Sequence, residues 1–279
     1  MYADLLRQLE LSLHLNKKPV GIHFFLIPEE YDDAAVPSSD SKMSICSYIN
    51  QAAEKKIRRK VSWEHVSCTG GLSALGLKKP GNFVKSGKQF FLMRLYESMA
   101  VARKVISQLG FMEMQIYGFE IGPLEQLNSA DVVIILGNAW QMMRMVQGYT
   151  FHYGVPENLG TAGNQGVCAD LAARPFQKND FNFSMLCPGA RIHMKSSENE
   201  MGCGMPIHQF KTIAASVVAT TSLAMTRQEK LELLKRMNSP SDLDCKIELD
   251  KMYGTYHKNS PYPHELYDRQ EKVTERDFL

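Results

Sequence analysis

The chain has 279 residues, 44% hydrophobic and 22% charged, an ordinary balance for a folded domain with a sizeable core. A formal net charge of +2 gives no electrostatic case for nucleic acid. No apolar run reaches the roughly 18 residues that span a membrane.

The opening MYADLLRQLELSLHL carries Asp4, Arg7 and Glu10 among its leucines, so it reads as an amphipathic helix over 1–16 and not as a secretory signal. Six cysteines without such a signal point to reduced thiols or metal ligands in a cytoplasmic protein. Residues 20–27 predict a buried strand that Pro28 stops, and 29–42 reads as an acidic surface loop. Ser44 is placed to cap a helix running to about Arg59. The basic run 55–60 reads as its solvated end. A strand over 61–67 leads into Cys68-Thr69-Gly70-Gly71, and a helix over 90–109 stops at Gly110.

The second half repeats this order. Residues 132–137 form a buried strand and 139–147 a helix whose Met142, Met143 and Met145 read as core. A helical segment over 164–173 is broken by Pro175. A strand over 181–185 runs into Cys187-Pro188-Gly189, and a glycine turn at Gly202-Cys203-Gly204 precedes a helix beginning near Pro206. Beyond that, Thr226-Arg227-Gln228-Glu229 is a capping box opening a helix to about Met237. The polar, tyrosine-bearing remainder, which includes Cys245, reads as an arm that docks on the body or on a second copy, a route to a homo-oligomer.

Val20 and Val132, Cys46 and Cys168, and Cys68 and Cys187 are separated by 112, 122 and 119 residues. Three similar offsets in one order predict an internal duplication. The expected fold is α+β, with related halves over 17–110 and 130–222 sharing a mixed sheet with flanking helices. A domain over 1–225 would precede a C-terminal helical or irregular extension over 226–279.

Cys46 and Cys168 fall in the first turns of predicted helices, where the positive dipole end favours a thiolate. Cys68 and Cys187 end strand-like segments at glycine turns, which let backbone approach a cofactor. Four thiolates facing one another across a pseudo-dyad need a cation, and a tetrahedral S4 set suits zinc or a [4Fe–4S] cluster. No C-x-x-C occurs, and the paired cysteines enclose 21 and 18 residues. Such dispersed ligands fit a cluster held inside a preformed enzyme better than a zinc ribbon. Buried cysteine as plain core packing remains the alternative. Cys203 is a candidate fifth thiol.

Gly163, Asn164, Gln165 and Gly166 lie in a glycine-rich loop suited to offering backbone N–H groups to an anion, and are substrate-binding candidates. Arg191 is a candidate carboxylate binder; with His65 and His193 it completes the catalytic candidates. Residues 81–88 miss the P-loop pattern, and G-x-G-x-x-G after a strand, H-E-x-x-H and G-x-S-x-G are all missing.

An ordered series of motifs includes Lys18-Pro19-Val20-Gly21-Ile22, Cys68-Thr69-Gly70-Gly71, Gly166-Val167-Cys168, Arg174-Pro175-Phe176, Phe183 to Arg191 and Glu200 to Pro206. Over about residues 5–220 the chain resembles the domain-of-unknown-function 169 family of bacterial and archaeal proteins. The resemblance implies that Cys46, Cys68, Cys168 and Cys187 are the family's usual cysteines, and it puts an aliphatic residue where Cys203 stands. The leading expectation is an oxygen-sensitive iron–sulfur redox enzyme or dehydratase of anaerobic metabolism, acting on a small organic substrate with a redox partner. A non-catalytic metal carrier, chaperone or sensor is one alternative, and a cluster-free small-molecule binder another.

Overall fold

A computed structural model describes residues 3–220 and, beyond them, Gln228. The expected tail helix, its tyrosines and Cys245 lie outside the described residues. Contacts divide the chain into two units, Met1–Val218 and Ala219–Leu279. In chain order the elements are α1 Ala3–Leu13, β1 Val20–Phe25, α2 Pro28–Asp33, α3 Ile45–Lys55, β2 Arg59–Ser62, α4 Thr69–Ala74, α5 Asn82–Lys85, α6 Lys88–Leu92 and α7 Met99–Gln108. There follow β3 Gly118–Pro123, β4 Val132–Asn138, α8 Ala139–Tyr153, a π-helical segment Gly166–Ala173, α9 Arg174–Lys178, β5 Asn182–Ser184, α10 Pro188–Met194, β6 Glu200–Pro206 and α11 Ile207–Ala219.

The six strands form one sheet in the order β2-β3-β1-β4-β6-β5. Every pairing between them is antiparallel, which corrects the expected mixed sheet. Continuous apolar runs such as Val132 to Leu136 report burial on both faces, and that signal carries no strand direction. From the centre outward, each half of the sheet holds the first, third and second strand of its own chain segment. Residues 37–39 pair with the outer edge of β2 through the Lys60 backbone. At the other rim Gly160 exchanges hydrogen bonds of 2.9 Å with the Asn182 side chain on β5.

Helices cover both faces. Val132, Ile134 and Leu136 join a core built from α3, α4, the π segment and α10. Val133 and Ile135 join a second core with α1, α8 and α11. Each such fully buried side chain contributes roughly 1.5–3 kcal/mol. The α3 helix begins as its sequence asks: Ser44 Oγ accepts the Ser47 N–H at 3.1 Å, and Lys56 closes it in the left-handed conformation. The basic run is therefore only partly a helix end. Arg58 pairs with Glu120 at 2.5 Å, and the Lys60 ammonium donates to the carbonyls of Tyr31, Asp32 and Ala34 at the C-terminus of α2.

The helical segment expected over 164–173 is a π-helix over Gly166–Ala173. An α-helix running into Pro175 would clash at the Leu171 carbonyl. The wider turn avoids this, with the Arg174 N–H reaching back five residues to the Ala169 carbonyl. The small residues Ala169, Ala172 and Ala173 let the segment press onto β6, so Gly202 and Gly204 stand inside a strand and not in the expected turn. A Cβ on Gly202 would lie 2.5 Å from Leu171 Cδ1, and one on Gly204 would overlap the Leu171 carbonyl oxygen. The expected helix over 90–109 is two helices, separated where Arg94 turns left-handed and Ser98 caps α7.

A candidate thiol centre and its polar flank

Four elements packed together carry the four matched cysteines: α3 against α10 and the π segment, and α4 against the π segment. Cys46 is the second residue of α3 and Cys168 the third of the π segment. Cys68 and Cys187 share a more specific role. Each is the N-cap of its helix, and its Sγ accepts, at 3.4 Å, the backbone N–H three residues on, Gly71 in α4 and Ala190 in α10. The expected glycine turns after them are thus helix starts. Cys46, Cys168 and Cys187 are buried in one core, whereas Cys68 is exposed.

Burial pushes the Cys46 thiol up to about 12, and negative charge on Cys187 and Cys68 pushes it the same way. Cys168 is raised well above the ordinary range by burial and then by Cys46, Cys68 and Cys187. Cys46 and Cys168 therefore lie within electrostatic reach of each other and of Cys68 and Cys187. Among the described residues, no three His, Cys, Asp or Glu side chains gather closely enough to hold a metal ion. Cys203 is elsewhere. It lies in the second core beside Ile135, where burial raises its thiol, so it is not a fifth member.

The glycine-rich loop does reach this centre. Gly163 is exposed, while Gly166 is buried so tightly that a Cβ would sit 2.7 Å from Leu186 Cα. Gln165, 7% exposed, lies against Gly70, next to Cys68. The expected anion cradle of backbone N–H groups is partly spent, because the Gly160 N–H is held by Asn182.

Arg191 and His65 are held by local hydrogen bonds. The Arg191 guanidinium donates to the carbonyls of Met185, Ser197 and Glu200, which pins the loop before β6. It lines an open groove of about 480 Å3 with Asn138, Trp140, Met185, Glu198 and Met201. His65 Nδ1 accepts the Ser62 N–H at 3.1 Å and closes a local capping box. His193 is exposed in the last turn of α10.

Asp170 is the residue that sequence reasoning passed over. It is 2% exposed, and its Oδ2 accepts hydroxyl hydrogens from Thr161 and Ser184 at 2.8 Å. The signal was a lone carboxylate within the apolar run Gly166 to Ala173. Burial raises its pKa to about 6, against the lowering by the two hydroxyls and Arg174. A raised carboxyl favours the folded state while protonated, so this contribution fades as pH rises from about 4 to about 6. Asp170→Asn should flatten that part of the stability–pH curve by on the order of 2–3 kcal/mol in denaturant titrations. An unchanged slope would show that Asp170 is not the titrating group.

The fold is of the α+β class, built on one open antiparallel sheet, and the profile of DUF169, described as uncharacterised ArCR, matches residues 8–216. The chain belongs to this family. It is similar to the uncharacterised protein MJ0308 of Methanocaldococcus jannaschii, with 23% identity over 193 residues, covering 68% of this chain and 81% of the relative. No solved structure matches the chain. Among the described residues, no helix is long and apolar enough to cross a membrane.

Proposed function

We propose that Cys46, Cys68, Cys168 and Cys187 hold a [4Fe–4S] cluster, in a redox enzyme or dehydratase acting on a small organic substrate. What supports this reading is that four elements packed together carry the four thiols, with Cys46 and Cys168 both feeling the charge of Cys68 and Cys187. Thiols so placed repel as they ionise, and a soft polynuclear cation relieves that repulsion. A single ion about 2.3 Å from each sulfur would require the thiols to move inward. A cluster spans a wider gap.

The chain's own residues supply the rest. Cys68 and Cys187 cap α4 and α10, each sulfur accepting one backbone N–H. Core packing screens Cys46, Cys168 and Cys187 from water, so exchange with solvent or substrate falls to the Cys68 corner. When bound, the cluster would supply one-electron transfer or Lewis-acid activation. The centre-outward strand order and the paired N-cap cysteines support a duplicated origin for the halves. Reduced thiols suit a cytoplasmic setting with a separate electron donor.

The burial of three of the four sulfurs favours a second reading, a closed structural zinc site in a non-catalytic protein. Anaerobic purification followed by iron and zinc assays separates the two. Brown protein with about four irons per chain is the expected result. Zinc alone moves the assignment to the second reading, and metal-free anaerobic protein sinks both.

A further inference from the structure

We infer that Asn164 and Gln165 form the recognition end of a small-molecule subsite at the Cys68 corner, whose ligand carries a cis H–N–C=O edge: a primary carboxamide, a ureide or a lactam. Gln165 is more than nine-tenths buried, yet neither Nε2 nor Oε1 has a hydrogen-bond partner among the described residues. The buried Nδ2 of Asn164 is unpaired as well. Each such atom costs about 1–3 kcal/mol, and folded proteins pair nearly all of them.

The backbone holds this side chain in place under strain. Gln165 has φ +57°, in the left-handed region that non-glycine residues rarely adopt. Its carbonyl accepts the N–H groups of Ala169 at 3.0 Å and Asp170 at 3.3 Å, which opens the π segment. Irregular turns of that kind concentrate at functional sites. A Cβ on Gly70 would come within 2.8 Å of Gln165 Nε2 and 3.8 Å of Cys68 Sγ, so the amide lies at the thiol centre. Cys68 and Thr69 are exposed and provide the way in.

One edge of an amide both donates and accepts. Its complement is a cis H–N–C=O group, which closes a two-hydrogen-bond ring with Gln165. Asn164 Nδ2 then serves the second lone pair of the ligand's carbonyl. An anion fits poorly, because it would face Oε1. The subsite's location rests on the thiol centre of the proposed function, but its hydrogen bonding needs no metal.

Saturation-transfer NMR on the full chain, kept anaerobic with metal assayed in parallel, tests this with acetamide, N,N-dimethylacetamide and acetate. Acetamide should bind about tenfold or more tightly than dimethylacetamide, which has no N–H. Gln165→Leu should abolish that preference. Gln165→Glu should reverse selectivity toward acetamidinium, whose two N–H groups match a carboxylate, and this variant decides the matter if the leucine variant fails to fold. Equal binding of dimethylacetamide or acetate, or an unchanged preference in a folded Gln165 variant, overturns the subsite. Acetamide selectivity without iron sinks only the cluster, and iron without selectivity sinks only the subsite.

Discussion

Replacing Cys46 or Cys187 by Ala should give protein that still folds but binds no iron. Both sulfurs are buried in the core, and truncating each to a methyl costs on the order of 1 kcal/mol, well short of global unfolding. The loss of metal should be complete, because each thiol comes from a different element and, among the described residues, no fifth cysteine lies in their core. Full iron occupancy in either variant would falsify the convergence of the four thiols on one centre. Uptake by the unaltered protein should also depend on pH. With Cys46 pushed up to about 12 and Cys168 raised well above the ordinary thiol range, both enter as neutral thiols, so metal must displace their protons. Apparent affinity should therefore rise as pH increases from about 6 to about 9, as a competition titration against a chelator of known affinity would measure.

The second large effect lies away from the sulfurs. Gly204→Ala should cost more than about 3 kcal/mol and leave little folded protein, because the new methyl group meets a backbone oxygen, which cannot swing aside as a side chain can. Gly163→Ala is the contrast. A Cβ there meets nothing within 4 Å, and only the positive φ of +63° opposes it, a penalty of about 1–2 kcal/mol. Denaturant midpoints of the two variants would order them. If Gly204→Ala were the milder change, the close approach of the π segment to β6 would be wrong.

The contrast between these glycines also shows why some of the fold was legible in the sequence and some was not. β1 and β4 announce themselves, since Val20 to Phe25 and Val132 to Leu136 are apolar on both faces. The Ser44 cap and the matched cysteine positions were equally plain, because both depend on local spacing. β3 and β6 were hidden. Gly118, Gly122, Gly202 and Gly204 look like turn residues, but they are small because Tyr31, Arg58 and Leu171 press against them. That cause lies far away in the chain. Asp170 and Gln165 were obscured for the same reason: a buried carboxyl or an unpaired amide is defined by its surroundings, and spacing carries no trace of them. The three carbonyls that Arg191 binds were equally out of view, since they too belong to its surroundings.

The two rims of the sheet have a further consequence. Open antiparallel sheets invite growth by addition of a foreign strand, whether in a dimer or in a fibril. Here the outward backbone of Lys60 is occupied by residues 37–39, and at β5, only three residues long, the Asn182 side chain grips Gly160. Neither rim offers a template of any length, so two copies of the described body would have to meet through helices and side chains, not through a shared ladder. The same closure protects a folding intermediate whose centre is already zipped from recruiting its neighbours.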